Sequence, residues 1–287
     1  MTEEQKQKPK TNQTGVIRQR ENGIITLRVL SCTGVFSARQ LHTLATVAET
    51  FGNGTLEMTA RMNAEVPGIA RHEADAAIQA LSAAGCTTSS TGACVRSVTA
   101  CKGTTCRFGL FDTQALGASL QEQWAGTPMP KKVKIGVTGC PNNCIRTDEQ
   151  DIGLMGIVRI SFSEDACTSC LACTRVCREG ALTGTDTGVS FQESASIGCG
   201  ACLPFCKEGA LIAEEKGLLL FVGGQGGRHP IKSHQYSEMI PEHQVSEVVA
   251  VILQYYQKNG ITGERLGVLL GRVGMDTLWK KIESVLQ

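Results

Sequence analysis

The sequence lacks three features that would direct it to nucleic acid, into a membrane or out of the cell. Its 28 lysines and arginines balance 27 aspartates and glutamates, so the formal net charge of +1 indicates neither a nucleic-acid nor an anionic-membrane partner. No apolar run is long enough to cross a bilayer, and the polar residues 1–20 contain no apolar core of a secretory signal. We therefore expect a cytoplasmic protein whose residues 1–20 form a disordered tail.

Cysteine, in contrast, is abundant: the chain has 14, and most of them occur in tight clusters. Clustered cysteines in a chain without a secretory signal favour metal ligation over disulfide bonds. Four of them form two central pairs, Cys101 with Cys106 and Cys140 with Cys144. Such a set of thiolates holds either one zinc ion or one iron–sulfur cluster, and the spacing alone does not decide between them.

The N-terminal third shows the pattern of a compact α/β unit. A β-rich run over 24–30 precedes a helix that begins with a capping box formed by Ser37 and Gln40. A second strand is predicted over 55–60 and a second helix over 74–84. The predicted order is therefore strand, helix, strand, helix.

Further regular elements lie around and beyond the central cysteines. They are a helix over 112–124, a strand over 132–137 that leads into the turn at Cys140, and two closing helices over 246–258 and 264–273. The glycine-rich run 217–230 is not a dinucleotide-binding fingerprint, because His229 and Pro230 follow where a helix should begin.

Residues 162–216 contain an internal duplication. The first copy of the motif has cysteine at Cys167, Cys170, Cys173 and Cys177. The second copy has, at the corresponding positions, Ser196, Cys199, Cys202 and Cys206. A serine thus stands at the first ligand position of the second copy.

These motifs resemble those of the siroheme and iron–sulfur sulfite and nitrite reductases. The resemblance is carried by T-G-C-P-N-N-C at 138–144, by P-K-K-V-K at 130–134 and by T-A-R-M-N-A-E-V-P-G-I at 59–69. The duplicated motif is similar to a bacterial two-cluster ferredoxin, in which each copy donates its fourth cysteine to the other cluster. The combination is most similar to the catalytic-subunit type of anaerobic sulfite reductase, which has a built-in ferredoxin.

The resemblance implies an α+β fold built from three parts. These are a ferredoxin-like half-domain at 21–90, a siroheme and 4Fe–4S α/β domain at 91–161 that continues at 217–287, and an inserted two-cluster ferredoxin module at 162–216.

The resemblance also implies a siroheme and up to three iron–sulfur clusters. Cys144 would bridge one 4Fe–4S cluster to the siroheme iron, and Arg228 and His229 would contact siroheme carboxylates or, alternatively, only solvent. The implied ligand sets are Cys101, Cys106, Cys140 and Cys144; Cys167, Cys170, Cys173 and Cys206; and Cys177, Cys199, Cys202 and Ser196. Because an alkoxide binds iron less readily than a thiolate, the Ser196 cluster is expected to be serine-ligated, a 3Fe–4S cluster or labile. Structural zinc is the alternative for the duplicated motif, and a cluster without siroheme is the alternative for the central cysteines.

Five cations stand at positions where the family binds its substrate anion. They are Arg28, Arg61, Arg96, Lys132 and Lys134. On a strand, the alternation of the two lysines would direct both toward one face, where they could bind the anion. The alternative for each cation is an ordinary solvated side chain.

We therefore expect an oxidoreductase that reduces sulfite to sulfide with six electrons, which enter through the ferredoxin segment. Reduction of nitrite to ammonia is the first alternative, because both anions require a cationic pocket. An electron-transfer protein that carries clusters and no siroheme is the second alternative. The expected partners are the oxyanion, an electron-donor protein or reductase subunits, and a second copy of the chain or the other subunits of a complex.

Overall fold

The chain consists of two structural units, and the boundary between them lies between Thr91 and Gly92. The computed structural model describes residues 15–88 and 91–287, so most of the predicted disordered tail lies outside the described residues. The prediction of a disordered tail is wrong at the end of that segment, where a strand forms. Val16–Arg18 form strand β1, because they pair antiparallel with the apolar run that follows.

The first unit is a four-stranded antiparallel sheet with two helices. Its further elements are β2 (Ile24–Val29), α1 (Ala38–Phe51), β3 (Glu57–Met58), β4 (Ala64–Ala70) and α2 (Ala74–Ala83). The strand order is β1-β2-β4-β3. The predicted capping box is confirmed, because the Ser37 side chain accepts from the Gln40 N–H and the Gln40 side chain accepts from the Ser37 N–H. Apolar residues of α1, α2, β2 and β4 form one core.

The prediction of a strand over 55–60 is wrong in the length of the strand and in its place in the sheet. Only Glu57–Met58 form a strand there, and the main partner of β2 is β4, which the sequence pattern did not indicate. The pairing of Ile25 with Ile69 and of Leu27 with Val66 leaves two residues of β4, Pro67 and Gly68, opposite one residue of β2. A bulge of this kind accommodates a proline, which cannot donate a hydrogen bond to a regular ladder.

The second unit is organised around a mixed five-stranded sheet. Its elements are β5 (Thr99–Ala100), α3 (Thr113–Trp124), β6 (Ile135–Thr138), β7 (Ile152–Phe162), α4 (Ala172–Val176), β8 (Leu182–Thr185), β9 (Gly188–Phe191), β10 (Leu211–Val222), β11 (His234–Gln235), α5 (Val245–Asn259), α6 (Leu266–Val273) and α7 (Asp276–Leu286). The sheet order is β11-β10-β7-β6-β5, in which β5, β6 and β7 are parallel and the other pairs are antiparallel. The main core lies between this sheet and helices α3, α5, α6 and α7.

The strand predicted over 132–137 begins later than expected, at Ile135. The Lys134 N–H does not join the ladder, because it donates to the Asp151 carboxylate at 2.8 Å. Val133 forms an isolated parallel bridge with Val95. The predicted alternation is nevertheless present, since Val133 is fully buried between the half-buried Lys132 and Lys134.

Strands β7 and β10 form a long antiparallel pair that encloses the duplicated motif. Their register runs from Ile152 opposite Val222 to Phe162 opposite Leu211. The segment between them, residues 163–210, is called here the cysteine-rich segment. It is shorter than the predicted 162–216, because residues 211–216 belong to β10. Helix α4 and the β8–β9 hairpin lie in this segment, and its apolar and cysteine side chains form a small separate core with β7 and Leu211.

Three helices close the chain, where two were predicted. Helix α7 was missed, although Leu278 and Ile282 stand one turn apart and are both fully buried. The glycine-rich run ends in a loop and not in a helix, as predicted. Among the described residues, no helix is both long and apolar enough to cross a lipid bilayer.

Candidate metal and anion site

The central cysteines lie at one edge of the parallel part of the sheet. Cys101 follows β5 directly, and Cys140 lies two residues beyond β6. The two strands are parallel neighbours, and the Cys101 N–H donates to the Val137 carbonyl at 3.0 Å. Carboxyl ends of neighbouring parallel strands meet at the same edge, which brings the two cysteine turns together.

Closely packed glycines hold the two turns against each other. A Cβ atom on Gly109 would lie 2.0 Å from the Gly103 carbonyl oxygen, inside the turn between Cys101 and Cys106. A Cβ atom on Gly139, next to Cys140, would lie 3.5 Å from the Cα atom of Gly109. The main chain between the cysteines therefore approaches closely only because side chains are missing there.

The sulfur atom of Cys101 lies in a polar environment made largely by the main chain. Its Sγ accepts from the Gly139 N–H at 3.1 Å and from the Gly103 N–H at 3.4 Å, and it lies 3.5 Å from the Thr113 hydroxyl. Burial acts to raise the pKa of Cys101, but hydrogen bonds from Thr113, Gly103 and Gly139 outweigh it and lower the pKa. The site thus favours the thiolate, which is the form that ligates metal.

Of the other central thiols, Cys140 lies close enough to Cys101 to interact with it. Burial raises the pKa of Cys140, and the nearby Cys101 and Cys144 thiols raise it further. Cys106 ends the first turn, where its N–H donates to the Gly103 carbonyl. Within residues 15–88 and 91–287, no three cysteine, histidine or carboxylate side chains form a group that could hold one metal ion. Soft sulfur donors hold iron–sulfur clusters, and N–H groups directed at sulfur, such as those of Gly103 and Gly139, stabilise the ligating thiolate.

Three of the five predicted cations lie together at the opposite, amino-terminal ends of β5 and β6. The Arg96 N–H donates to the Val133 carbonyl, which places Arg96 beside the lysine segment. Burial lowers the pKa of Lys132, and the guanidinium groups of Arg265 and Arg96 lower it further. We call Arg96, Lys132, Lys134 and Arg265 the cation cluster.

Asp151 and Arg265 were not predicted from the sequence. Arg265 donates two hydrogen bonds from Nη2 to the Asp151 carboxylate, at 2.8 and 3.0 Å, and a third from Nε at 3.2 Å. Both residues are buried, with 8% of Arg265 and none of Asp151 exposed. Burial raises the pKa of Asp151, and Arg265 and the Lys134 N–H oppose that rise. The available signal was weak: a charged residue directly before an apolar strand and another directly before an apolar helix.

The remaining two predicted cations, Arg28 and Arg61, belong to the first unit. Arg28 donates from Nε to Glu65 at 2.7 Å, in a cross-strand ion pair between β2 and β4. Arg61 is half-buried in the tight turn before β4, next to Met62, whose φ is +59°. Arg28 thus has a structural partner that could account for its presence.

The loop that carries Arg228 and His229 packs against the segment after Cys144. A Cβ atom on Gly224 would lie 2.3 Å from the Asp148 carbonyl oxygen. The Gln225 side chain donates to the His229 carbonyl at 2.7 Å, which fixes the loop. Arg228 and His229 are themselves exposed.

In the cysteine-rich segment, thiols of the two copies of the motif lie near one another. Burial raises the pKa of Cys173, and the nearby thiols of Cys206 and Cys167 raise it further. Burial raises the pKa of Cys202 to about 11, with further contributions from three cysteines. The cysteines that act on Cys202 are Cys199, Cys177 and Cys173. The fourth cysteine of each copy, Cys177 or Cys206, therefore lies near the motif of the other copy.

Ser196 lies in the same cavity as the cysteines with which it was grouped. One cavity of the segment is lined by Cys177, Ser196, Cys199 and Cys202 among its residues. The Ser196 hydroxyl accepts from the Gly198 N–H at 3.3 Å. Cys170 is exposed at the surface of the segment.

Comparison with known proteins defines the class of this scaffold. Residues 91–287 match the family model described as "Nitrite and sulphite reductase 4Fe-4S domain", and residues 17–84 match the "Nitrite/Sulfite reductase ferredoxin-like half domain". The chain belongs to the nitrite and sulphite reductase family. The family implies a siroheme and a 4Fe–4S cluster, and the central cysteines fit the cluster.

Individual relatives agree with this assignment. The chain is 32% identical to the coenzyme F420-dependent sulfite reductase of Methanocaldococcus jannaschii, over 95% of the chain and 44% of the relative. It is 27% identical to one of the subunits of the anaerobic sulfite reductase of Salmonella typhimurium, over 60% of the chain and 54% of the relative. It thus spans about half the length of these curated relatives. The solved structure of dissimilatory sulfite reductase I superposes with a TM-score of 0.75 at 20% identity, covering 91% of this chain and 69% of that one, and so shows the same fold.

Proposed function

We propose that the chain is a siroheme- and iron–sulfur-dependent reductase that converts sulfite to sulfide. The observation that carries this proposal is that the turns carrying Cys101 and Cys140 meet at one edge of the sheet, where the Gly139 N–H donates to the Cys101 sulfur, within the matched 4Fe–4S domain. When bound, the siroheme would supply the iron at which the anion is reduced, and the cluster would supply the electrons. Cys144 is the proposed thiolate between the two groups.

Arg96, Lys132 and Lys134 of the cation cluster are proposed to hold the anion and to provide protons. Reduction of sulfite to hydrosulfide takes up six electrons and seven protons and releases three water molecules, so negative charge must be balanced repeatedly. Lys132 suits this role because its pKa is lowered, which makes its proton easier to transfer. Arg28 and Arg61 are proposed to contribute further positive charge.

Electrons are proposed to enter through the cysteine-rich segment from a donor protein. Leu110 packs against both the main core and the small core of this segment. Its N–H donates to the carbonyl of Gly139, and a Cβ atom on Gly200, between Cys199 and Cys202, would lie 3.2 Å from its side chain. These contacts support an order in which the Ser196 cluster is adjacent to the central cluster and the Cys167 cluster is farther away.

A second copy of the chain, or another protein of a complex, is proposed to complete the active site. The cation cluster lies at the amino ends of β5 and β6, and Cys101 and Cys140 lie at the carboxyl ends. The chain from Lys134 to the end of β6 spans about 13 Å, at roughly 3.3 Å per residue, so the two ends are about that far apart. Cations from one copy and cysteines from another would bring both to the same anion.

Pigment analysis of the anaerobically purified protein tests the proposal against an electron-transfer protein without siroheme. We expect a chlorin-type visible spectrum, extractable siroheme and sulfite-dependent oxidation of a reduced dye. Cluster absorption without extractable siroheme, after reconstitution with siroheme and iron, would contradict the enzyme and favour the electron-transfer protein. Parallel assays with nitrite decide between the two anions, because the product is sulfide in one case and ammonia in the other.

Substitution of Ser196 by cysteine is expected to complete the ligand set of the second cluster. Because a thiolate binds iron more readily than an alkoxide, Ser196→Cys should raise the iron content or change the EPR signal of the reduced protein. The control is Ser194→Cys, an exposed serine on the same turn, which should leave both quantities unchanged. Identical iron content and EPR spectra for Ser196→Cys and the unmodified protein would remove Ser196 from the cluster.

A further inference from the structure

The lysine segment of the cation cluster is fastened to the sheet by one buried carboxylate. Asp151 accepts the Lys134 N–H at 2.8 Å, and the next residue, Ile152, donates its N–H to the Lys134 carbonyl at 3.1 Å. Lys134 is therefore held on both sides of its peptide unit by the start of β7. The Asp151 carbonyl also accepts the Gly223 N–H at 2.8 Å, which ties the same point to the end of β10.

Arg265 fixes the orientation of that carboxylate. It occupies the N-cap position of α6 and donates three hydrogen bonds to the two carboxylate oxygens of Asp151. A planar guanidinium paired with both oxygens restricts rotation of the carboxylate far more than an ammonium group would. The orientation of Asp151 in turn sets the position of the Lys134 main chain.

The burial of this ion pair calls for an explanation beyond stability. Removing two charges from water costs free energy, and an apolar pair of similar volume is often equally stable or more stable. Asp151 is fully buried, and both lysines of the segment and Arg265 lie within its electrostatic range. A carboxylate among cations also weakens the attraction of the site for an anion. The presence of the Asp151 carboxylate there is explained if it holds the Lys134 main chain in position.

We propose that the buried Asp151–Arg265 ion pair is a positioning device that holds the Lys132–Lys134 segment in the geometry needed to bind the oxyanion. This inference rests on the proposed function of the cation cluster in anion binding. Asp151 and Arg265 do not contact the substrate; they act through the main chain of Lys134 and through the electrostatic environment of Lys132.

The charge of Asp151 provides a test in which geometry and electrostatics predict opposite results. Asp151→Asn removes a negative charge beside the anion site, so a purely electrostatic role predicts a lower or unchanged KM for sulfite. A positioning role predicts a KM about tenfold higher or more, together with a lower kcat per bound siroheme, because the displaced lysines bind the anion and donate protons less well. The KM of the reconstituted holoenzyme is the quantity to measure.

Arg265→Lys is the second variant, and it keeps the net charge of the site while removing the planar guanidinium. It should raise the KM for sulfite in the same direction as Asp151→Asn. Arg272→Lys is the matched control, since Arg272 forms an exposed ion pair with Glu264 on the same helix and should leave the KM unchanged. If Asp151→Asn does not fold, the KM of Arg265→Lys alone tests the positioning role.

Hydrogen exchange of the Lys134 amide provides a measurement that does not depend on activity. This N–H should exchange faster in Asp151→Asn and in Arg265→Lys than in the unmodified protein, and should be unaffected in Arg272→Lys. Unchanged exchange in both variants, or an unchanged or lower KM, would overturn the positioning role. Absence of sulfite turnover in the unmodified holoenzyme would instead contradict the proposed function, and the exchange experiment would still test the positioning of Lys134.

Discussion

Replacement of both Lys132 and Lys134 by alanine is expected to lower sulfite turnover by about 100-fold or more. Removal of one preorganised donor from the developing charge of a transition state commonly costs about 100-fold, and here two are removed. Both lysines are half-buried, so their attraction for an anion is screened less than that of surface lysines. The measurement is the steady-state rate of sulfide formation per bound siroheme.

Lys131→Ala is the control for this double variant, because Lys131 is the exposed neighbour of the same segment. It should retain turnover, and all variants should retain the visible spectrum of the unmodified protein. Normal turnover by the double variant would remove these lysines from the proposed role. Co-expression of the double variant with a Cys144→Ala chain extends the experiment: partial recovery of activity is expected only if one copy supplies the lysines and another the cysteines.

The cysteine motifs made much of the candidate site predictable from the sequence. Metal-binding cysteines occur at short spacings within turns, so the sequence preserves the local part of the ligand set. The crossed proximity of Cys173 with Cys206 follows from the duplication for the same reason. The placement of Lys132 and Lys134 was predicted in outline, although the strand was expected to begin before them.

Contacts between distant parts of the chain could not be predicted in the same way. Asp151 and Arg265 are separated by 114 positions, and neither belongs to a motif. Strand β4 was missed because Pro67 and Gly68 indicate a break, and only the pairing with β2 turns that break into a bulge. In both cases the information lies in tertiary contacts, which local propensity and spacing do not contain.

Substitution of Gly109 by alanine is expected to abolish assembly of the central cluster. The new Cβ atom would lie 2.0 Å from the Gly103 carbonyl oxygen and 2.4 Å from its carbon, both of which are main-chain atoms. No side-chain rotation relieves such a contact, so the turn between Cys101 and Cys106 must move away from Gly139. Overpacking of this kind costs about 3 kcal/mol or more, and the displaced turn also loses the N–H groups directed at the Cys101 sulfur.

Gly271→Ala provides the matched control for this prediction. Gly271 lies in α6, and a Cβ atom there meets no atom within 4 Å. Alanine should stabilise the helix by about 0.5–1 kcal/mol and leave the clusters intact. The measurements are iron and acid-labile sulfide per chain, together with the midpoint of thermal unfolding. A full iron content in Gly109→Ala would show that the two cysteine turns tolerate separation, and the close approach of Gly103, Gly109 and Gly139 would then not be a requirement for the cluster.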